Sequence, residues 1–273
     1  MTSDVLAKAT TLVALAAAMY FSKSLTPSGI LASLIVGVVT LLLGGWDCFI
    51  VLLVFLLLGV VFTKYKHVEK APGTLAQEKG GVRTWVNVFA NGGPAVIPLI
   101  LEYLYGMELF TVFFLSAVCS AASDTLSTEI GLLSKSKPRL ITDLRKRVER
   151  GVSGGVTLLG TLAGLLGSLA IALVPLMTIM AGVTGIFLNF KDYTRLVIAS
   201  SSAGFLGMLI DSLLGATVQA LYVSKETGLF YEDPRKCNGE CVLIRGFKFF
   251  DNNAVNFSSC LLAGVLGAAI YLL

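Results

Sequence analysis

The chain has 273 residues, of which 55% are hydrophobic and 14% charged, whereas a soluble domain carries roughly 25% charged residues. With a mean hydropathy of +0.83, this composition excludes an ordinary soluble protein and marks an integral membrane protein. A crossing takes about 20 residues, so crossings nearly use up the chain, and a single integral membrane domain over residues 1–273 is expected. The formal net charge of +4 is small, and no nucleic-acid partner is expected.

Met1 to Phe21 is apolar, with neither a positively charged leading region nor a small-residue cleavage site. It reads as a first span, not a removable signal. Apolar segments follow at Gly29 to Gly44, Phe49 to Thr63, Val86 to Tyr105 and Leu109 to Leu133. Lys64, Lys66, Lys70, Lys79 and Arg83 share one loop, and Lys135, Lys137, Arg139, Arg145, Lys146, Arg147 and Arg150 share another. The positive-inside rule puts both loops in the cytoplasm and the amino terminus outside. The loops at Trp46 to Asp47 and Gly106 to Glu108, without Lys or Arg, then also lie outside.

The second half is less orderly, with apolar stretches at Val152 to Val174, Leu176 to Phe190, Arg195 to Tyr222 and Ala254 to Leu273. The loop Val223 to Asn253 carries Lys225, Arg235, Lys236, Arg245 and Lys248 and fits the cytoplasmic side. That requires an even number of crossings between Gly151 and Tyr222. Leu176 to Phe190, short and bounded by Pro175, is therefore expected only to dip into the membrane, with a ninth span as the alternative. The expected fold is an all-α polytopic transmembrane bundle of about eight spans plus one short or re-entrant segment.

Two carboxylates lie inside apolar segments, Asp124 and Asp211. An acid at the centre of a span is penalised by roughly 2.5–3.5 kcal/mol and usually faces a polar cavity. Ser120, Ser123, Asp124, Ser127, Thr128 and Gly131 share one helix face, as do Ser200, Gly204, Gly207, Asp211, Gly215 and Gln219. Arg83, Asn87 and Asn91 step into the fourth segment, and Asn252, Asn256, Ser259 and Gly267 line the last. Unpaired polar groups in hydrocarbon cost several kcal/mol each, so a shared hydrated cavity is expected among these four helices. Glu129 is rotated about 140° from Asp124 and points elsewhere unless the helix breaks near Gly131.

Asp124, Asp211, Asp251 and Glu129 supply the hard oxygens that Mg²⁺ prefers. Lys79, Arg83 and the run Arg145 to Arg150 could take phosphates. This is the inventory of phosphoryl transfer. Gly151, Gly154 and Gly155 stand where a basic run enters a helix, so either phosphate contact at that helix start or plain packing is open. Gly160, Gly164 and Gly167 form a small-residue stripe for close helix packing. No P-loop or dinucleotide fingerprint occurs. His67, between lysines, reads as solvated, and Cys237 and Cys241 read as incidental or disulfide-forming.

Five runs carry a resemblance: GTLAQEKGGVRTWVNVFANGG (Gly73 to Gly93), ASDTLSTEIG (Ala122 to Gly131), GVSGGVTLLGTLAG (Gly151 to Gly164), GMLIDSLLGATVQ (Gly207 to Gln219) and FDNNAVNFSS (Phe250 to Ser259). In order and over nearly the whole chain, they resemble the domain of unknown function 92 family, which includes a plant phytyl-phosphate kinase and transmembrane protein 19. The resemblance implies a kinase acting on a long-chain isoprenyl monophosphate lipid, with a nucleoside triphosphate such as CTP as donor and Mg²⁺ as cofactor. Asp124, Asp211 and Asp251 would be catalytic, and with Glu129 would hold the metal. Lys79, Arg83, Asn87, Asn91, Arg147, Arg150, Gly154, Gly155, Asn252, Asn253 and Asn256 would bind phosphate or nucleotide. The family pattern Asn-Glu-Gly-Gly-Arg-Arg is QEKGGVRT here, Gln77 to Thr84, which leaves Arg83 the better match. The expected setting is a prokaryotic cell membrane with the active site facing the cytoplasm. The rival class is a transporter or channel whose polar stripes line a pathway.

Overall fold

A computed structural model describes residues 2–65, 82–183, 185–189, 192–237 and 239–273. Helices α1 (Thr2–Phe21), α2 (Pro27–Leu43), α3 (Gly45–Lys64), α4 (Trp85–Tyr105) and α5 (Glu108–Gly131) form the first half. After one short sheet come α6 (Leu158–Ala172), α7 (Val174–Met180) and α8 (Tyr193–Thr217), and after a second comes α9 (Asn252–Leu272). Among the described residues seven helical stretches are long and apolar enough to cross a membrane, with α6 and α7 counting as one, and α2 is a shorter apolar helix. The fold is thus the expected helical membrane bundle.

Among the described residues, the interval Leu176 to Phe190 holds no ninth span. Leu176 to Met180 completes α7, which follows α6 directly, with Pro175 in its first turn, where no helical donor is lost. A 3₁₀ turn at Ile186–Asn189 follows. Asp47 holds it: Oδ2 accepts from the Phe187 amide at 3.0 Å and Oδ1 from the Cys48 amide at 2.8 Å. The sequence places Asp47 in an outer loop, yet it is only 1% exposed, in the first turn of α3. Two crossings therefore separate Gly151 from Tyr222, the even number that the loop charges require.

The basic loops are partly β structure. Strands β1 (Arg139–Leu140), β2 (Asp143–Arg147) and β3 (Gly155–Val156) form one antiparallel sheet. Strands β4 (Leu221–Ser224), β5 (Phe230–Tyr231) and β6 (Cys241–Arg245) form another, beside which a Cys237–Cys241 disulfide closes a turn. The sheets are tied together: the Ser153 hydroxyl donates to Glu232, and Arg245 Nη2 to the Ser153 carbonyl at 3.4 Å. Such short strands escape a hydropathy reading, which registers long apolar runs. Both sheets stand at the end of the bundle where α3, α5 and α8 finish and α4, α6 and α9 start, called here the basic end.

Helix α5 is the central element, touching α3, α4, α6, α8 and α9. Small residues set the spacing. Gly204 of α8 lies against Cys119 and Ser168, Gly207 against Ser120 and Ala263, and Gly267 of α9 against Ser116. Gly160, Gly164 and Gly167 of α6 meet the Ser127 carbonyl, Ser123 and the Ala122 carbonyl of α5, as expected of a small-residue stripe. Much of the serine face of α5 is therefore a packing surface and not a cavity wall. Ser123 donates to the Gly164 carbonyl at 2.9 Å, and Ser116 donates to the Val112 carbonyl at 2.8 Å. A hydroxyl satisfied by backbone needs no water.

Candidate active site

The close contacts along α5 and α8 carry the two acids into register. Both helices run toward the basic end, and Ser120 meets Gly207. One turn further on the same faces stand Asp124 and Asp211. Both lie within electrostatic reach of Cys260 on α9, which packs against both helices. They are half-buried, neither sealed in the core nor out in bulk solvent.

Helix α9 supports Asp211 directly. The Ser259 hydroxyl donates to Asp211 Oδ2 at 2.9 Å. With its amide oriented so that nitrogen meets acceptors, Asn256 donates to Asp211 Oδ2 at 3.1 Å and to the Asn252 carbonyl at 3.1 Å. Asn253 joins α9 to α4, its Oδ1 accepting from Asn87 Nδ2 at 2.8 Å. Asn87 also accepts from the Thr84 amide at 2.8 Å, closing a capping box at the start of α4. Asn91 donates to the Asn87 carbonyl at 3.0 Å. Four of the five predicted amides thus hold helix starts and one another together, with Asn252 contributing its backbone.

Arg83 precedes α4 and is half-buried. Its guanidinium lies on Gly59 of α3, where an added Cβ would stand 3.1 Å from Nη1. Burial pulls the guanidinium below its usual value, and the carboxylates Glu129 and Asp124 oppose that pull. Glu129 does turn away from the Asp124 face, as its rotation predicts. It reaches α3, where the Thr63 hydroxyl donates to Oε1 at 2.7 Å. Gly59 and Thr63 were missed in the sequence; their signal is two small or polar residues one turn apart at the end of an otherwise apolar helix.

Other predicted residues are placed elsewhere. Asp251 is exposed and caps α9, accepting from the Ala254 amide at 2.9 Å. Gly155 donates its N–H to the Val152 carbonyl at 3.0 Å, so that amide is not offered to a phosphate. Gly154 has φ +83° and is pressed against Ala216, where a Cβ would come 2.7 Å from Cα. The intervening β structure moves the helix start to Leu158, with Thr157 as its cap. These glycines therefore turn and pack the chain. Arg150 donates to the Ser134 carbonyl at 2.6 Å and Arg147 is exposed on β2; no described contact joins either to Asp124 or Asp211. Lys79 and His67 lie outside the described residues.

Among the described residues no group of three or more His, Cys, Asp or Glu could hold a metal ion. The expected four-carboxylate site does not form, because Glu129 is turned toward α3 and Asp251 caps a helix. Mg²⁺ carried by phosphates needs only one or two carboxylates, a demand that Asp124 and Asp211 fit.

A family model described as integral membrane protein DUF92 matches residues 10–264. Protein PGR of Arabidopsis thaliana is 34% identical over 272 residues, covering 93% of this chain and 92% of that protein. An uncharacterized membrane protein of Methanocaldococcus jannaschii is 31% identical over 252 residues, covering 92% and 87%. Protein VTE6, chloroplastic, of Arabidopsis thaliana is 29% identical over 250 residues, covering 89% of this chain and 64% of that protein. No solved structure matches the chain. The chain belongs to the DUF92 family of integral membrane proteins.

Proposed function

We propose that the protein is a membrane-embedded phosphotransferase that converts a long-chain isoprenyl monophosphate to its diphosphate, with a nucleoside triphosphate, CTP or another, as donor. The observation that carries this reading is the pairing of Asp124 and Asp211 on neighbouring helices at the basic end, bordered by Arg83 and the amides of α4 and α9. The family resemblance, which includes a plant phytyl-phosphate kinase, supports it. An oxygen of the acceptor phosphate attacks the terminal phosphorus of the donor, the bond to the bridging oxygen breaks, and a nucleoside diphosphate leaves. That attacking oxygen is anionic near neutral pH because the second phosphate pKa is about 6, so no strong general base is required. Arg83 offers a cation to one phosphate, and the half-buried acids favour a cation brought by the donor; when bound, Mg²⁺ would neutralise phosphate charge. The positive loops favour a cytoplasmic setting for this end.

A transporter requires a route through the bundle. At Gly204, Gly207 and Gly267 the helices α5, α8 and α9 meet so closely that an added Cβ has no room, which favours the enzyme. Purified protein with Mg²⁺ and a nucleoside triphosphate is expected to turn prenyl monophosphate into diphosphate. Asp124→Asn and Asp211→Asn are expected to lose turnover about a hundredfold to a thousandfold, in line with electrostatic groups at a reacting centre, while unfolding cooperatively like wild type. Vesicles that accumulate a solute while no nucleotide is consumed with any prenyl phosphate would establish the transporter instead.

A further inference from the structure

Helices α1, α2, α3 and α4 line a groove whose apolar length no step above uses. Its walls are apolar, with Leu15, Val36, Leu53 and Leu56 among them, and its polar groups gather on α4: Arg83, Asn87 and Asn91. The head end is defined twice over. Arg83 rests on Gly59 of α3, and the Arg83 carbonyl approaches Gly29 of α2, where a Cβ would stand 2.7 Å away. The far end is closed by convergence at Gly37, whose Cβ position lies 3.1 Å from Leu12 and 3.3 Å from Phe49. From Gly59 to Phe49 is ten residues of α3, or about 15 Å of depth.

We propose that this groove binds the hydrocarbon chain of an anionic amphiphile, a prenyl monophosphate, headgroup at Arg83, and that Leu12, Gly37 and Phe49 form a floor that measures chain length. A one-ended slot with a half-buried cation at its mouth is complementary to a single apolar tail bearing a phosphate. Arg83 also lies within electrostatic reach of Asp124, so a phosphate held there stands beside the paired acids. The choice of a prenyl phosphate rests on the phosphotransfer reading, whereas affinity for a phosphate-headed chain does not.

The test is equilibrium binding of geranyl, farnesyl and geranylgeranyl monophosphate to the full protein in lipid nanodiscs without nucleotide, followed by turnover with it. Leu53→Trp fills the slot about 9 Å from the head end. It is expected to weaken geranylgeranyl binding about tenfold or more while leaving geranyl within about twofold, as the loss of several buried methylenes requires. Leu12→Ala opens the floor and shifts the preference toward the longer chain. Arg83→Gln weakens every phosphate about tenfold and leaves farnesol, the neutral counterpart, unchanged. If wild type binds none of these lipids, or if folded Leu53→Trp and Leu12→Ala keep its chain-length profile, the groove proposal is overturned. If the profile shifts as expected but no phosphate is ever transferred, the groove stands and the phosphotransfer reading falls.

Discussion

Gly207→Ala tests whether close packing of α5 and α8 sets the geometry of the acids. The new methyl would lie 2.7 Å from Ala263 Cβ and 2.8 Å from Ser120 Cβ, against an ordinary carbon separation of about 3.5–4.0 Å. The helices must part by about 1 Å. Overpacking of this kind costs about 1–3 kcal/mol, and a 1 Å displacement at a reacting centre lowers turnover about a hundredfold. Thermal unfolding and prenyl-phosphate turnover of the purified protein measure the two effects. Adding Ser120→Gly removes the side chain that Gly207→Ala strikes and is expected to restore part of both, a coupling opposite in sign to simple additivity. Gly92→Ala, whose methyl would lie 3.3 Å from Val36 Cγ1, is the milder contrast. Wild-type stability and activity in Gly207→Ala would refute the claim that this contact holds Asp124 and Asp211 in register.

Asp47→Ala removes the acceptor of two backbone donors in the buried first turn of α3 and is expected to lower stability by about 1–3 kcal/mol per abandoned donor; thermal unfolding of purified protein checks it. Thr63→Val deletes the hydroxyl that Glu129 accepts at 2.7 Å, for an expected loss of about 1.5–3 kcal/mol by the same measurement. Orientation is open to labelling, because Cys48, Cys119 and Cys260 are buried whereas Cys237 and Cys241 are not. In reductant-treated intact cells a membrane-impermeant maleimide is expected to miss Cys237 and Cys241 and to reach them only after permeabilisation; labelling before it would put the sheets outside. In a reducing cytoplasm the same pair is expected to be open as thiols, which mass spectrometry after rapid alkylation reports.

Much of the membrane architecture is legible in the chain because a span announces itself locally. Gly45–Lys64 and Trp85–Tyr105 begin and end within a few residues of their apolar runs, since about 20 apolar residues and basic flanks suffice to define a crossing. The acids were legible for a related reason: a carboxylate in such a run is conspicuous. What the polar stripes meant was not. Ser123 and Asp124 are adjacent, yet one is bonded to the backbone of α6 while the other stands near Arg83 and Cys260.

By itself, then, the amino-acid order determined an integral membrane bundle and two acids that need polar company. Tertiary structure alone decided which polar residues keep that company. It placed Glu129 against Thr63 on α3, made Asp251 a helix cap, turned Gly154 and Gly155 into a packed corner, and shaped an apolar groove ending at Arg83. The physical reason is that helical periodicity assigns a residue to a face, whereas the partner on that face is chosen by where small residues let two helices touch.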